Sequence, residues 1–397
     1  MKKLIAALTT LMLVAGSAFA QISVSGDVTA GITVIQGSSA DDDGYFDPFT
    51  SGGFMDGFSI EVSGEAGGGL FGGWVNLSGW GISGYLFHDD GSRGDLGLEM
   101  HAFAWWRPSR MFWLALGGND FFARGDLGLW GFYRAAGNVG VARPGNAWGG
   151  GYGMYPLKLS YAFYDGFSDW GAMMTISPIH EIDINIGIPF ISMSLFDGED
   201  ELTSELQDIV QALHAQVVFK QPWGNIALTY WGFAEEHNIG RIFVDLHLLA
   251  IDNLSLMFGF GAMLFGENHE HDHMFSVGLG AAYRISDEFG IRARALAQFG
   301  DGYFWQGHDF GLLLNVLPFF QVTPSITAFA SVGLAMRSMK ANAGTILDWH
   351  FNPYIEIGPE EWGPKFFAGF QLWSETPAPN ANAVIRWGIP IGLQVSF

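Results

Sequence analysis

The chain has no cysteine, few cationic side chains and no long apolar run after its first residues. Without cysteine, neither a disulfide framework nor a thiolate-based metal or redox site can form. Only 18 lysines and arginines accompany 40 aspartates and glutamates, which gives a net charge of −22 over 397 residues. Such an acidic chain is a poor partner for nucleic acid, whose phosphates attract a basic face. Beyond residue 20 there is no stretch of the ~20 apolar residues that a transmembrane helix requires.

The N-terminal segment is predicted to be a secretory signal peptide. Positive charge at Lys2 and Lys3 precedes an apolar stretch, residues 4–14, and an A-x-A pattern that ends at Ala20. We expect export through the Sec pathway with cleavage after Ala20. The alternative is an N-terminal membrane anchor, for which the apolar stretch is short.

The remaining composition suits an all-β protein with an apolar exterior. The chain is 49% hydrophobic and only 15% charged, and it contains 56 glycines, 35 phenylalanines and 15 tryptophans. Glycine and aromatic residues combined with alternating hydrophobicity are typical of β-barrels that face hydrocarbon. We therefore expect the excess of phenylalanine and tryptophan on a lipid face and in aromatic girdles at its borders.

The C-terminal segment Trp387–Phe397 alternates between apolar residues and small or polar ones. A period of two is the pattern of a β-strand with one apolar face. The same alternation begins at Ile22–Val34 and recurs along the chain without a proline- or serine-rich linker. It predicts one domain, residues 21–397, folded as a transmembrane antiparallel up-and-down β-barrel of about 18 strands, with about 16 as the competing count.

Short turns and long loops alternate along the predicted hairpins. The short turns carry proline, asparagine, aspartate or glycine, and we expect them at the periplasmic end, at 107–110, 177–180, 222–225, 251–253, 286–289, 322–325 and 358–363. The long loops are expected on the extracellular side. Two stand out. A glycine-rich, aromatic loop at about 120–168 is predicted to be ordered against the lumen. An amphipathic stretch at about 203–213 predicts a loop helix, with strand continuation as the alternative.

On these features the chain resembles bacterial outer-membrane β-barrel proteins, and porins most closely in size. The features are the leader, the alternating hairpins and the strand Trp387–Phe397. The resemblance implies an outer-membrane location and insertion by a barrel-assembly machinery that recognises a C-terminal strand ending in phenylalanine. Leu393, Val395 and Phe397 match that signal. Pro390 departs from it, because proline removes one donor from the ladder, and it predicts an irregular seam between the last and first strands.

If the apolar alternating residues face lipid, their neighbours line the lumen, where a charge stays hydrated. The residues predicted to line a pore or its constriction are Arg292, Arg294, Arg241, Asp245, Asp183, Glu99 and Arg386. Other residues predicted to face the lumen are Asn185, His214, Gln216, Lys220, His247, His350, Asn352, Tyr354 and Glu356. Arg292 and Arg294 share one face of a strand and would set up a positive field across a narrowed pore. The alternative is a set of salt bridges that only stabilises the wall. The overall acidity favours cations in such a pore.

Three histidines alternate with other residues in a late, acidic loop, at His269, His271 and His273. Imidazole and carboxylate groups are ligands for Zn²⁺, Ni²⁺ or Cu²⁺. Because ordering a loop apex costs conformational entropy, a solvated polar loop is the simpler interpretation, and weak metal capture at the cell surface is the alternative.

The sequence contains no G-x-S-x-G or Walker A motif, so we expect neither an enzyme nor a bound cofactor. The leading hypothesis is a porin-like passive diffusion channel for small hydrophilic solutes, surrounded by outer-membrane lipid. The sequence does not decide between a homotrimer and a monomer. The competing hypothesis is a surface-exposed binding or adhesion barrel without an open pore. Further alternatives are a barrel enzyme, since the same architecture hosts several functions, and a soluble secreted β-sandwich.

Overall fold

A computed structural model of the chain describes residues 21–39, 54–80, 97–118, 170–191, 196–197, 201–202, 210–232, 238–265, 274–300, 308–339, 344–359, 363–376 and 381–397. Strands make up most of this part of the chain. It contains no helix long and apolar enough to cross a membrane. The predicted leader, the long loop at 120–168 and the three histidines of the late loop lie outside the described residues. So does most of the predicted loop helix, of which residues 210–211 are helical.

The described residues form 21 strands. They are β1 (Gln21–Ser38), β2 (Phe54–Ala66), β3 (Phe71–Trp80), β4 (Gly97–Ser109), β5 (Phe112–Gly118), β6 (Trp170–Ile179), β7 (Ile182–Ile191), β8 (Phe196–Asp197), β9 (Glu201–Leu202), β10 (His214–Gln221), β11 (Gly224–Trp231), β12 (Asn238–Ile251), β13 (Leu254–Phe265), β14 (Met274–Arg284), β15 (Phe289–Phe299), β16 (His308–Thr323), β17 (Ile326–Met339), β18 (Thr345–Ile357), β19 (Gly363–Gly369), β20 (Gln371–Glu375) and β21 (Val384–Ser396). The two-residue strands β8 and β9 pair only with each other. Because β19 and β20 both pair with β18 and β21, they act as one wall strand interrupted at Phe370.

The wall strands form one antiparallel ring. Each pairs with its neighbour in sequence, β7 pairs with β10, and β21 returns to pair with β1. The described strands thus build a barrel of 18 wall strands in up-and-down order, in which every wall strand has a partner on both sides. This confirms the predicted fold class and the favoured strand count.

The short turns lie at one end of the ring, as the alternation predicts. They comprise residues 67–70, 110–111, 180–181, 222–223, 252–253, 285–288 and 324–325. The sequence pattern places two turns too early, at 107–110 and 177–180, whereas Ser109 still pairs with Phe112 and Ile179 still pairs with Ile182. It also misses the turn at 67–70, where three consecutive glycines adopt the positive φ that glycine tolerates best.

Exposure alternates residue by residue along the wall strands. In β18, Leu347, Phe351 and Ile355 are exposed on the outer face, whereas Asp348 and His350 are buried on the inner face. A continuous apolar exterior is unfavourable in water but matches hydrocarbon. The inner and outer faces are therefore those predicted from the period of two.

The seam between β1 and β21 is irregular at the predicted place. Pro390 lies opposite Thr33, and the register shifts between Thr33 and Ile35. Proline cannot donate to the ladder, so the bulge falls where the pairing is already interrupted. At the end of the seam, the Gly26 N–H donates to the Phe397 carbonyl (2.8 Å), and the Phe397 N–H donates to the Gly26 carbonyl (2.9 Å).

Part of the aromatic content lies inside the ring. Phe103, Trp113 and Met173 form a buried cluster on the inner face of β4–β6, and Trp74 and Trp105 pack against it. The ring centroids of Trp74 and Phe103 are 5.3 Å apart. The assignment of the phenylalanine and tryptophan excess to the lipid face is therefore incomplete, because one side of the interior has a packed apolar lining.

Candidate functional site

Four polar side chains on adjacent strands form a hydrogen-bonded belt on the inner face. Thr175 Oγ1 donates to Asn185 Oδ1 (2.7 Å), and Asn185 Nδ2 donates to Gln216 Oε1 (2.9 Å). Gln216 Nε2 in turn donates to Thr229 Oγ1 (2.9 Å). The residues of this polar belt are direct cross-strand partners on β6, β7, β10 and β11. The sheet register alone therefore aligns them, and the bonds satisfy groups that are largely removed from water.

Asp183, a predicted constriction residue, is paired within the wall. Its Oδ1 accepts a hydrogen bond from Ser177 Oγ (2.7 Å), and its Oδ2 forms an ion pair with Lys220. The opposite charge of Lys220 offsets that of the carboxylate, so a solute experiences little net field from the pair. This arrangement corresponds to the alternative expectation of salt bridges that stabilise the wall.

Asp245, on β12, is buried. Its side chain is 2% exposed, and among the residues that the structure describes neither carboxylate oxygen has a hydrogen-bond partner. Its cross-strand neighbours are Ala227 and Gly259, whose side chains offer no polar atom. The side chain of this predicted pore residue is thus almost entirely removed from solvent.

The two arginines of β15 occupy successive positions on one face of the strand. Arg292 pairs with Leu317 and Arg294 pairs with Asn315, and both partners are buried on the inner face. Arg292 Cζ lies 4.9 Å from the centroid of the Phe319 ring. Arg292 therefore faces the interior of the ring.

The register groups the remaining predicted residues on two rows across the sheet. One row contains Asp183 and Asp245, joined through Val218 and Ala227. The other leads from Arg294 through Asn315, Gly333, His350 and Trp373 to Arg386. Glu99 lies in β4 and Arg241 in β12. The predicted pore residues are thus distributed around the wall, and the described part of the chain does not bring all of them to a single constriction.

A second polar cluster joins Asn315, Ser331 and His350. Asn315 Nδ2 lies 3.1 Å from His350 Nε2 and 3.2 Å from Ser331 Oγ, and Ser331 Oγ is 3.1 Å from the same ring nitrogen. An amide nitrogen can only donate, so Nε2 is the acceptor. The period of two predicts His350 on the inner face, but Asn315 and Ser331 are not singled out because their contact depends on the register of three strands.

A cavity of about 930 Å³ lies at the short-turn end of the barrel, between β12 and β19. Its charged lining residues are Arg284, Arg292 and Lys365, together with Asp252 and Glu356. Three cationic groups thus face two anionic ones. The cavity is a candidate site through which a solute enters or leaves the interior.

Three aromatic residues line one wall of this cavity, and we name them the aromatic shelf: Phe319, Phe329 and Tyr354. They are cross-strand partners on β16, β17 and β18. The ring centroids of Phe319 and Phe329 are 6.2 Å apart, and those of Phe329 and Tyr354 are 4.6 Å apart with the planes inclined by only 7°. Of the three, only Tyr354 is singled out by the sequence pattern, as a lumen residue.

The remaining predicted sites lie at the barrel end or outside the described residues. Leu393 and Val395 are in β21, and Phe397 ends the seam beside Gly26. His269, His271 and His273 lie outside the described residues. In the described part of the chain, no group of three or more histidine or acidic side chains is arranged to hold a metal ion.

The comparisons with known proteins bear on the fold. No family model matches the sequence, and no curated protein matches it. The anion-selective porin from Comamonas acidovorans matches with a TM-score of 0.54 at 10% identity, over 96% of this chain and 100% of that chain. OpdK of Pseudomonas aeruginosa, solved with vanillate, gives 0.53 at 11% identity over 94% and 99%. OccAB4 of Acinetobacter baumannii gives 0.53 at 8% identity over 94% and 98%.

The fold is that of the outer-membrane porins. The match extends over nearly the whole of each chain, so this barrel has the size and strand order of theirs as well as their general class. At identities of 8–11% the likeness concerns architecture, and the chemistry of the porin-like interior must come from its own residues.

Proposed function

We propose that the chain is a porin-like passive diffusion channel for small hydrophilic solutes in the bacterial outer membrane. The main support is the closed 18-strand ring, with an apolar outer face and a charged inner face that contains a cavity of about 930 Å³. The apolar face matches hydrocarbon, whereas hydrated inner charges let a polar solute cross without entering lipid. The similarity in fold to porins supports the same function over an adhesion barrel without a pore.

The local charge of the cavity supports a preference for anions at that end. Arg284, Arg292 and Lys365 outnumber Asp252 and Glu356 there, although the whole chain has a net charge of −22. Charges on exposed surfaces beyond about 8 Å are largely screened at physiological ionic strength. The lining therefore governs a solute inside the cavity more strongly than the distant acidic residues do. This proposal is opposite to the cation preference expected from composition.

The wider set of pore-lining residues belongs to the same proposal. Glu99, Arg241, Arg294 and Arg386 occupy strand positions compatible with an inner-face role. For Asp183 the wall pairing described above is the better explanation. The acidic contribution to selectivity would then come mainly from Glu99 and from the cavity carboxylates.

An enzymatic role receives little support from the Ser331–His350 contact. Ser331 is 5% exposed and His350 is 8% exposed, and Asn315 donates to the same imidazole nitrogen that would have to act as the base. A general base needs access to the proton it removes and to substrate. We propose that this cluster stabilises the wall.

The proposed route to the membrane is inferred from the two ends of the sequence. A leader cleaved after Ala20 would direct the single domain 21–397 to the periplasm. The barrel-assembly machinery would then recognise Leu393, Val395 and Phe397 in the closing strand. A homotrimer is the proposed assembly to test against a monomer, by native mass spectrometry of the detergent-extracted protein.

Proteoliposome swelling tests the proposed channel. Purified, refolded protein is reconstituted, and the swelling rate is measured in isosmotic sugars and amino acids of increasing size. We expect swelling that slows as solute size increases. Boiled protein and protein-free liposomes are the controls. Liposomes that contain folded barrel, shown by its altered gel mobility on heating, yet do not swell in any solute would favour the adhesion barrel.

A further inference from the structure

We infer that Phe319 is a positioning residue for Arg292. The Phe319 ring, rather than a carboxylate, holds the guanidinium in the cavity, so that the guanidinium stays available to permeating oxyanions. The inference rests on the proposed channel function. It assigns a selectivity role to an apolar residue that carries no charge.

The Phe319 ring lies against the backbone of the neighbouring strand. A β-carbon on Gly290 would lie 2.4 Å from Phe319 Cζ and 2.6 Å from Cε1, so the ring packs directly onto the backbone of β15. Gly290 precedes Arg292 by two residues on the same face of that strand. The ring is thus fixed beside the root of the arginine side chain.

The aromatic shelf behind Phe319 is closely packed. Phe329 packs between Phe319 and Tyr354, and Tyr354 is 5% exposed. Beyond Tyr354 the row ends at its partner Gly369, where a β-carbon would come within 2.6 Å of Tyr354 Cβ. The shelf is therefore confined between two glycines, and stacked aromatic rings have few alternative packings at this density.

Arg292 is held by an aromatic contact. In the described part of the chain its specific contact is the Phe319 ring, with Cζ at 4.9 Å from the centroid, and it forms no ion pair there. A guanidinium held over an aromatic face is attracted through its positive charge, so its N–H donors are not used by the ring as they would be by a carboxylate. Lys220 provides the contrast, because its charge is used by Asp183.

The consequence is a preorganised oxyanion contact at the short-turn end. Planar oxyanions with two oxygens in one plane fit the fork of N–H donors, whereas a spherical halide uses it less completely. Glu356 and Arg284 also line the cavity and act on Arg292 electrostatically, but among the described residues Arg292 forms no ion pair. Removing Phe319 leaves every charge in place but frees the guanidinium to move.

The test measures reversal potentials of single channels in planar bilayers under gradients of KCl and of potassium acetate. The variants are Arg292→Gln, Phe319→Leu and Phe319→Trp. We expect Arg292→Gln to lower the anion-to-cation permeability ratio in both salts. Phe319→Leu should lower the ratio by about two- to fivefold, the factor that corresponds to one cation–π contact, with the larger change in acetate. Phe319→Trp should retain the wild-type ratio because it keeps an aromatic face.

Gly290→Ala provides a second route if Phe319→Leu yields no folded barrel. Its β-carbon displaces the ring while both Phe319 and Arg292 remain, so the ratio should fall as in Phe319→Leu. A folded Phe319→Leu or Gly290→Ala channel with the wild-type ratio overturns the inference and leaves the channel function intact. Wild-type protein that is folded but produces no conductance overturns both.

Discussion

The imidazole of His350 lies on the backbone of Gly333. A β-carbon at Gly333 would be 2.1 Å from Cε1 and 2.6 Å from Nδ1 of the ring. This close approach brings the ring nitrogen Nε2 to 3.1 Å from both Asn315 and Ser331. Because Gly333 has no side chain, it leaves room for the imidazole, and the polar cluster can join residues of β16, β17 and β18.

Gly333→Ala should destabilise the barrel. The new methyl group would displace His350 and leave the buried Asn315 and Ser331 without their shared partner, which costs about 1–3 kcal/mol. Urea unfolding in detergent micelles, followed by tryptophan fluorescence, measures the change. Val332→Ala, on the outer face of the same strand, is the matched control and should have a smaller effect. Equal stability of Gly333→Ala and wild type would mean that the His350 ring can adopt another position without loss of its hydrogen bonds.

Asp245→Asn should stabilise the barrel. The carboxylate is buried, and neither oxygen has a hydrogen-bond partner among the described residues. An amide of the same shape is still polar but carries no charge, so it should raise the free energy of unfolding by roughly 1 kcal/mol or more. Asp183→Asn is the opposite control, because it loses the ion pair with Lys220 and should lower stability by up to ~1 kcal/mol. A loss of stability in Asp245→Asn would show that the carboxylate has a partner after all.

Gln216→Leu should break the polar belt at its centre. Gln216 accepts from Asn185 and donates to Thr229, and both neighbours would be left with unmet hydrogen bonds at a cost of roughly 2 kcal/mol. The same urea titration measures the loss, and Val217→Ala on the outer face is the control. If the two variants unfold at the same urea concentration, the belt does not stabilise the wall.

Deletion of Phe397 should reduce assembly rather than conductance. The residue makes two backbone hydrogen bonds with Gly26, and a β-carbon on Gly26 would lie 3.0 Å from its Cζ. Without Phe397, the backbone N–H and carbonyl of Gly26 lose these partners at the end of the seam. We expect a lower yield of folded barrel, measured by heat-modifiable gel mobility, with normal single-channel currents in the fraction that folds. Phe397→Tyr should restore the yield, and an undiminished yield after deletion would remove the residue from the assembly signal.

Much of the architecture can be predicted from the sequence because one physical signal repeats along it. The period of two separates an apolar face from a polar one, and it holds in strands as distant as Ile22–Val34 and Trp387–Phe397. Even the bulge at the seam is predictable, since Pro390 lacks a donor wherever it is placed. The alternation that includes Met100 and Trp106 places Trp106 on the outer face, where it is exposed. The pattern does not indicate that Trp105, on the opposite face, packs against a buried apolar cluster.

The candidate site is less predictable because its contacts depend on register between strands. Alternation assigns Asp183 and Lys220 to the inner face, but only the pairing of β7 with β10 brings them into an ion pair. Likewise, Arg292 could be predicted to face inward, whereas its contact with Phe319 requires the registry of β15 with β16 and the absence of a side chain at Gly290. A one-residue slip would reverse every such assignment.

Single-channel recording of the wild-type barrel tests the central claim most directly. Purified protein, refolded in detergent and shown to be folded by heat-modifiable gel mobility, is added to a planar bilayer in symmetric KCl. A passive diffusion channel predicts discrete, repeated current steps of uniform size whose current varies linearly with voltage. Folded barrel that enters the bilayer, as shown by protease protection in matching liposomes, and yields no current steps would contradict it.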